Sequence, residues 1–124
     1  MAAAFATLTE VLNDEAYESV STLRKQMVLG CDEVIRRFDL PAHVVAIGAK
    51  GCITFAAEPV HNYREFLQID DRYSHLHWLF QHNGGVFLPP WGKAEQWLLS
   101  PQHSAEDAQR FIDNFRTYAE TLRG

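Results

Sequence analysis

The residues of this chain that could do chemistry include six histidines. His75, His77 and His82 are predicted to lie on one helix. Positions 75 and 77 point about 200° apart around a helix axis, so these two side chains cannot bind one metal ion. No cysteine–histidine spacing matches a zinc signature. The pattern therefore predicts no metal site and favours histidines of the helix surface or the core.

The two cysteines give no support to nucleophilic catalysis. Cys31 lies on the apolar stripe of a predicted helix and is expected in the core, whereas Cys52 opens a predicted strand. The chain contains no G-x-S-x-G motif. The glycine-rich segment 48–51 matches neither the P-loop nor the dinucleotide-binding pattern, and it is predicted to be a hairpin turn. These features do not support a hydrolase.

A polar and aromatic cluster surrounds a predicted bend at residues 89–92. Trp91, Lys93 and Glu95 lie there, and such groups on a loop between rigid elements suit ligand contact. The alternative is that Trp91 and Trp97 are core anchors beside a solvated pair of Lys93 and Glu95. Spacing alone favours this alternative.

Composition excludes several classes of protein. The chain has 124 residues, 16 acidic and 11 basic side chains, and a net charge of −5. The length predicts one domain, and the acidic balance disfavours a nucleic-acid binder. No apolar run approaches the roughly 20 residues that span a bilayer, and no basic residue precedes the first apolar run, as a secretory signal would require. We therefore expect a cytoplasmic protein that binds neither nucleic acid nor membrane.

Hydrophobic periodicity and turn residues predict an α+β domain, with a small antiparallel sheet of about three strands and helices packed on one face. The predicted helices are residues 2–12, a helix capped by Asn13 or Asp14 that ends before Pro41, one capped by Asp70 or Asp71 that ends at 83–85, and one that follows Ser104. The predicted strands are 43–47, 52–56, 86–88 and 95–99. The longest irregular stretch is expected at 57–65. The first helix is too short to be stable alone, so it must dock on other protein or continue a longer helix.

The apolar positions of the three long helices recur at steps of three and four, which predicts one buried face for each helix. The predicted faces are Tyr17, Val20, Met27, Val28, Cys31, Val34, Ile35 and Phe38 in the first, Tyr73, Leu76, His77 and Phe80 in the second, and Ala108, Phe111, Ile112, Phe115, Ala119 and Leu122 in the third.

Two segments, 59–64 (Pro-Val-His-Asn-Tyr-Arg) and 85–90 (Gly-Val-Phe-Leu-Pro-Pro), resemble the C-terminal part of class III aminotransferases. These are pyridoxal-phosphate enzymes of fold type I, and the pattern is most similar to that of glutamate-1-semialdehyde aminomutase-like members. The C-terminal strand and helix of the family read Glu-x-x-x-x-Ser, then x-x-His-Thr/Ser, then x-x-Asp. The residues of this chain that match these positions are Glu95, Ser100, His103, Ser104 and Asp107. The resemblance covers essentially the whole chain.

The resemblance implies a C-terminal small domain that closes over the substrate side of an active site. Residues 1–12 would be the end of the helix that leads from a missing large domain, and residues 13–124 would form the small domain. The partners implied are that large domain, an amino acid or keto acid substrate and a second subunit in a homodimer. The alternative is a stand-alone interaction or binding module with the same fold.

The resemblance also implies the roles of particular residues. Glu95 matches a glutamate that looks toward the substrate amine. The chain is one residue longer than the family's Pro-Ser-x-x-Glu pattern at this point, which places Trp91 and Lys93 where a substrate side chain or carboxylate would lie. We expect Glu95, Lys93 and Trp91 to bind substrate and none of them to be catalytic.

The family binds pyridoxal phosphate through a lysine of the large domain. Lys25, Lys50 and Lys93 lie in no such context in this chain. We therefore expect pyridoxal phosphate in the full-length enzyme and no cofactor on this chain alone. Whether the reaction is a transamination or an intramolecular amino shift stays open.

Overall fold

In the computed structural model, which describes residues 1–89 and 92–124, helices cover one face of a three-stranded antiparallel sheet. The strand order is β1-β2-β3, where β1 is His43–Ile47, β2 is Lys50–Thr54 and β3 is Gln96–Leu98. The predicted fold class is confirmed. The open face of the sheet carries Val45, Ile47 and Leu98, all exposed.

The helices are α1 (Ala2–Ala6), followed by a π-helical turn (Thr7–Val11), α2 (Asp14–Arg37), α3 (Tyr63–Leu67), α4 (Asp71–Asn83) and α5 (Ala105–Arg123). Of these, α2, α4 and α5 begin at capping residues that the sequence predicts. The side chain of Asn13 accepts a hydrogen bond from the amide of Ala16, and that of Asp70 from the amide of Arg72. These bonds satisfy backbone N–H groups that have no partner within the first turn of a helix.

The strongest of these caps precedes α5. The Ser104 hydroxyl accepts from the Asp107 amide, and the Asp107 carboxylate accepts from the Ser104 amide, which completes a capping box. Replacing Ser104 with alanine is expected to lower the free energy of unfolding by about 1 kcal/mol. Urea denaturation measures the change. Thr121→Ala, in the exposed last turn of α5, is the control, and equal stability of the two variants would contradict a role for the cap.

Three local predictions are wrong. Residues 86–88 are not in a strand, because no other strand of the described residues lies alongside them. Strand β2 begins at Lys50, two residues before the predicted start, so the hairpin turn is tighter than expected. The stretch 57–65, predicted to be irregular, contains the start of α3, because the Asn62 side chain accepts from the Glu65 amide.

Helices α2 and α5 pack closely where α2 has a glycine, which lacks a side chain, at the contact. A Cβ atom on Gly30 would lie 2.4 Å from Cδ1 of Ile112, so this glycine, which weakens α2 locally, permits the contact. Gly51 has the same role in the sheet, where a Cβ atom would lie 2.2 Å from the indole ring of Trp97. Trp97 therefore packs directly onto the backbone of β2.

The buried face of α4 is polar, which corrects the predicted face. Of the predicted residues His77 is buried and Phe80 is half-buried against the core, whereas Tyr73 and Leu76 are exposed. Ser74 and Gln81 are buried on the same helix. The Gln81 amide nitrogen donates to the carbonyl oxygen of Phe111 and to Nε2 of His77, both at 3.0 Å. Asn114 in turn donates to Oε1 of Gln81 at 3.2 Å. These bonds offset the cost of burying polar groups between α4 and α5.

Residues 2–11 are helical, as predicted, but they bury no side chain. Phe5 and Leu8 are 69% and 68% exposed, and Val11 is also exposed. This leading segment therefore presents an apolar surface that the described residues do not cover.

Candidate functional site

Glu95 lies immediately before β3 and is almost fully buried, with 7% of its surface exposed. Its Oε1 atom accepts a hydrogen bond from the amide of Gly92 at 2.8 Å. No ion pair of the described residues includes Glu95. Among the described residues, therefore, this carboxyl group is part of no ion pair, although His75 lies near enough for its charge to favour the carboxylate.

Burial raises the pKa of Glu95 above its usual value. The Gly92 N–H group and His75 act in the opposite direction, because both favour the charged carboxylate, but burial dominates. A cation that came close to Glu95 would reverse this shift. The site can thus bind an ammonium group or exchange a proton with it.

Pro89 and Lys93 are bonded to α4 and to Ile69, which precedes this helix. The Lys93 ammonium group donates to the carbonyl oxygen of Ile69 at 2.5 Å, and the Ser74 hydroxyl donates to the carbonyl oxygen of Lys93 at 2.7 Å. Trp78 Nε1 donates to the carbonyl oxygen of Pro89 at 2.8 Å. Lys93 therefore has a structural bond besides any contact with a ligand.

The structure resolves part of the choice between a ligand-binding loop and a packed core segment. Trp97 is a core residue, as the second interpretation predicts. No ion pair of the described residues joins Lys93 to Glu95, so the solvated pair of that interpretation is wrong. Trp91, the third predicted substrate-binding residue, lies outside the described residues. Glu95 and Lys93 thus lie on one segment but have separate partners.

Sequence reasoning missed the side chains that adjoin Glu95. Burial raises the pKa of Cys52 and of Tyr118, and the charge of Glu95 lies close enough to add a smaller increase at each, after that of Tyr73 at Tyr118. The Tyr118 hydroxyl donates to the carbonyl oxygen of Tyr73 at 3.2 Å. Both groups are held in their neutral forms, so they add hydrogen-bonding capacity to the site and no charge.

Neither cysteine is an activated nucleophile. Burial raises the pKa of Cys31 and of Cys52, and the charge of Asp32 adds to the effect at Cys31. A thiolate is therefore disfavoured at both positions. The prediction that Cys31 belongs to the core is confirmed, because it is fully buried on α2.

The surroundings of the three lysines bear on where a cofactor could be attached. Lys25 and Lys50 are exposed, and the Lys93 ammonium group is bound to the Ile69 carbonyl. None of the three is a desolvated amine of the kind that forms a Schiff base. Within the described residues no cluster of three histidine, cysteine or acidic side chains could hold a metal ion.

No family model matches the chain. A curated relative, the glutamate-1-semialdehyde 2,1-aminomutase of Thermomicrobium roseum, is 32% identical over 126 aligned positions, which cover 100% of this chain and 29% of the relative. The chain is homologous to a segment of glutamate-1-semialdehyde aminomutases. The predicted resemblance to this family is thereby confirmed.

Solved structures agree with the sequence relationship. A glutamate-1-semialdehyde aminomutase from Pseudomonas aeruginosa PAO1 in complex with PMP matches 98% of this chain with a TM-score of 0.87 and 29% identity. An omega-transaminase from Sphaerobacter thermophilus matches with a TM-score of 0.71 and 22% identity, which shows a shared fold. Each match covers 26% of the solved chain.

The chain spans between a quarter and a third of the length of these relatives, which is consistent with a C-terminal fragment. In the part of the chain that the structure describes, no helix is long and apolar enough to cross a membrane.

Proposed function

We propose that this chain is the C-terminal small domain of a pyridoxal-phosphate-dependent enzyme of the glutamate-1-semialdehyde aminomutase or class III aminotransferase type. The observation that carries the proposal is the 32% identity over the whole chain to less than a third of an aminomutase. Residues 13–124 are then the small domain, and residues 1–12 end the helix that arrives from the large domain. The exposed side chains of Phe5, Leu8 and Val11 support this division, because an exposed apolar patch marks a surface that other protein covers, here the large domain.

The cofactor belongs to the part of the enzyme outside these residues. When bound there, pyridoxal phosphate supplies an electron sink for reactions of amines. The PMP in the solved relative supports a cofactor of this type, and the unsuitable surroundings of Lys25, Lys50 and Lys93 support its attachment elsewhere. The role of this chain is to close over the substrate, to exclude water and to orient the substrate.

The substrate is an amino acid or a keto acid, and Glu95 faces its amine. The carboxyl group is buried, it forms no ion pair among the described residues, and His75 offsets the effect of burial only in part, so an ammonium group would complete its interactions. Lys93 keeps two N–H groups beyond its bond to Ile69, and with Trp91 it contacts the substrate carboxylate or side chain. We further propose that the full-length enzyme is a cytoplasmic homodimer.

A chimera tests the proposed function. This chain replaces the matching segment of the Thermomicrobium roseum relative, and cofactor absorbance and amine turnover are measured. We expect the chimera to bind pyridoxal phosphate and to turn over an amino substrate, and this chain alone to do neither. A folded chimera without cofactor or turnover would contradict the proposal. A stand-alone module would instead be favoured if the DNA upstream of the Met1 codon encoded no in-frame extension with a pyridoxal-phosphate lysine.

Replacing Glu95 with glutamine in the active chimera is expected to raise KM for the amino substrate about 10-fold. Glutamine retains the acceptor for the Gly92 amide but loses the charge, and a hydrogen bond to a charged group contributes about 1.5–3 kcal/mol. Steady-state kinetics measure the change. Glu58→Gln, on an exposed loop, is the matched control. An unchanged KM in Glu95→Gln would remove Glu95 from the substrate site.

A further inference from the structure

Strand β3 has an open edge. The Leu99 amide donates to the carbonyl oxygen of Ala49 at 2.9 Å. Two residues earlier in the chain, Trp97 pairs with Gly51. In an antiparallel ladder the hydrogen-bonded positions alternate, so the N–H and C=O groups of Gln96 and Leu98 point away from β2. Strand β3 is the last in the sheet, and the described residues place no strand beyond it.

The segment 86–88 has the side-chain pattern of a strand but no strand partner. Val86 is half-buried, Phe87 is 87% exposed and Leu88 is buried, which is the alternation of a strand with one covered face. The Val86 amide donates to the carbonyl oxygen of Gln81, but no described hydrogen bond uses the amides of Phe87 and Leu88. Backbone groups of this kind normally find a partner.

A groove of about 530 Å³ separates these two unpaired stretches. One wall is formed by residues 85–89 and the other by residues 97–99, and Met27, Ala108 and Phe111 also line it. The lining is mainly apolar. A groove with unpaired backbone on its walls and apolar side chains beneath is the usual setting for addition of a strand to a sheet edge.

We propose that an extended strand from the rest of the parent polypeptide fills this groove and pairs with the open edge of β3. This inference rests on the proposed function, because the relatives are more than three times as long as the segment that this chain matches. The incoming strand donates to and accepts from Gln96 and Leu98, and its alternate side chains are apolar because they face Met27 and Phe111. Phe87 then becomes covered on the opposite wall.

Amide hydrogen exchange tests the inference. In the chain alone the amides of Phe87, Leu88, Gln96 and Leu98 should exchange rapidly, and in the chimera the two β3 amides should slow by about 100-fold. The amides of Ala57 and Glu58, on an exposed loop, are the control and should not change. If the chimera does not fold, the remaining part of the Thermomicrobium roseum relative is added to this chain as a separate polypeptide and the same amides are followed.

The outcomes separate this inference from the proposed function. An active chimera whose β3 amides still exchange rapidly overturns the inference and leaves the function standing, and absence of protection in the two-polypeptide mixture overturns it equally. Protection without cofactor binding supports the added strand and contradicts the function. Protection that rises with the concentration of the chain alone identifies a second copy as the occupant and also overturns the inference.

Discussion

Replacing Phe115 with alanine is expected to lower the free energy of unfolding by about 3–5 kcal/mol. The Phe115 ring on α5 is fully buried, and its centroid lies 5.3 Å from that of His77 and 5.9 Å from that of Tyr118. Truncation removes the transfer free energy of the ring and leaves a cavity among rigid aromatic neighbours, which cannot collapse to fill it. Urea denaturation followed by circular dichroism measures the loss.

The control for this variant is Phe87→Ala. The Phe87 side chain is 87% exposed, so its removal should change stability by less than about 0.5 kcal/mol. Equal losses in the two variants would show that the core is not centred on α5. If Phe115→Ala lowered the free energy of unfolding by much less than about 3 kcal/mol, the neighbouring side chains would have to fill the cavity more completely than their packing indicates.

The second large effect is a loss of stability in weak acid that depends on His77. Burial lowers the pKa of His77 to about 3, because the ring lies among the side chains of Phe111, Phe115 and Tyr118. In the unfolded chain the pKa is about 6.5, so below that pH the unfolded state binds a proton that the folded state does not. Stability is therefore fully present above pH 6.5 and falls by up to about 1.4 kcal/mol per pH unit toward pH 3.

A His77→Gln variant isolates this effect. Glutamine does not titrate, and its side-chain oxygen can accept the hydrogen bond from Gln81 that His77 Nε2 now accepts. Chemical denaturation at pH 7.5 and 5.5 should show that the wild-type chain loses about 1.4 kcal/mol more than the variant over this range. This range lies above the window in which Asp70, Asp107 and Glu65, whose pKa values are lowered, lose their own contributions. Parallel pH profiles would assign the acid sensitivity to other groups.

The elements that the sequence predicted correctly are those whose signals are local. The caps at Asn13, Asp70 and Ser104 act within three residues, and the structure contains all three. The face of α5 was predicted with similar success, because its apolar residues recur without interruption. Five of its six predicted residues are buried, and Leu122 is exposed because the last turn extends beyond the core. Tyr17 is likewise exposed at the start of α2.

The predictions that were wrong depend on partners distant in the chain. Ser74 and Gln81 are buried on α4 because the backbone of Lys93 and the helix α5 supply their hydrogen bonds, which no local pattern reveals. Residues 86–88 carry the alternation of a strand, but a strand also requires a neighbouring strand. The alternating pattern is local, whereas a neighbouring strand must come from elsewhere in the fold, so the pattern alone does not determine whether a strand forms.

The candidate site was predictable only in part. Glu95 and Lys93 were found because they match a family pattern along the chain, whereas Cys52 and Tyr118 adjoin Glu95 through the pairing of β2 with β3 and the packing of α5. Finding Cys52 and Tyr118 from the sequence would have required knowledge of this strand pairing and of the packing of α5. The direct bond from Lys93 to Ile69 could not be predicted from spacing, because 24 positions separate the two residues.

The three hydrogen bonds that hold Pro89 and Lys93 against α4 and Ile69 have a consequence for recognition. Because Lys93 is attached and the Glu95 carboxyl group accepts from the Gly92 amide, this carboxyl group is held in place before any ligand arrives. Little conformational entropy is then lost when a cationic group meets it, and such preorganisation strengthens binding without any additional contact. Loosening the Ser74 or Trp78 anchor would weaken recognition at Glu95 even though these side chains bond to Lys93 and Pro89 and not to Glu95.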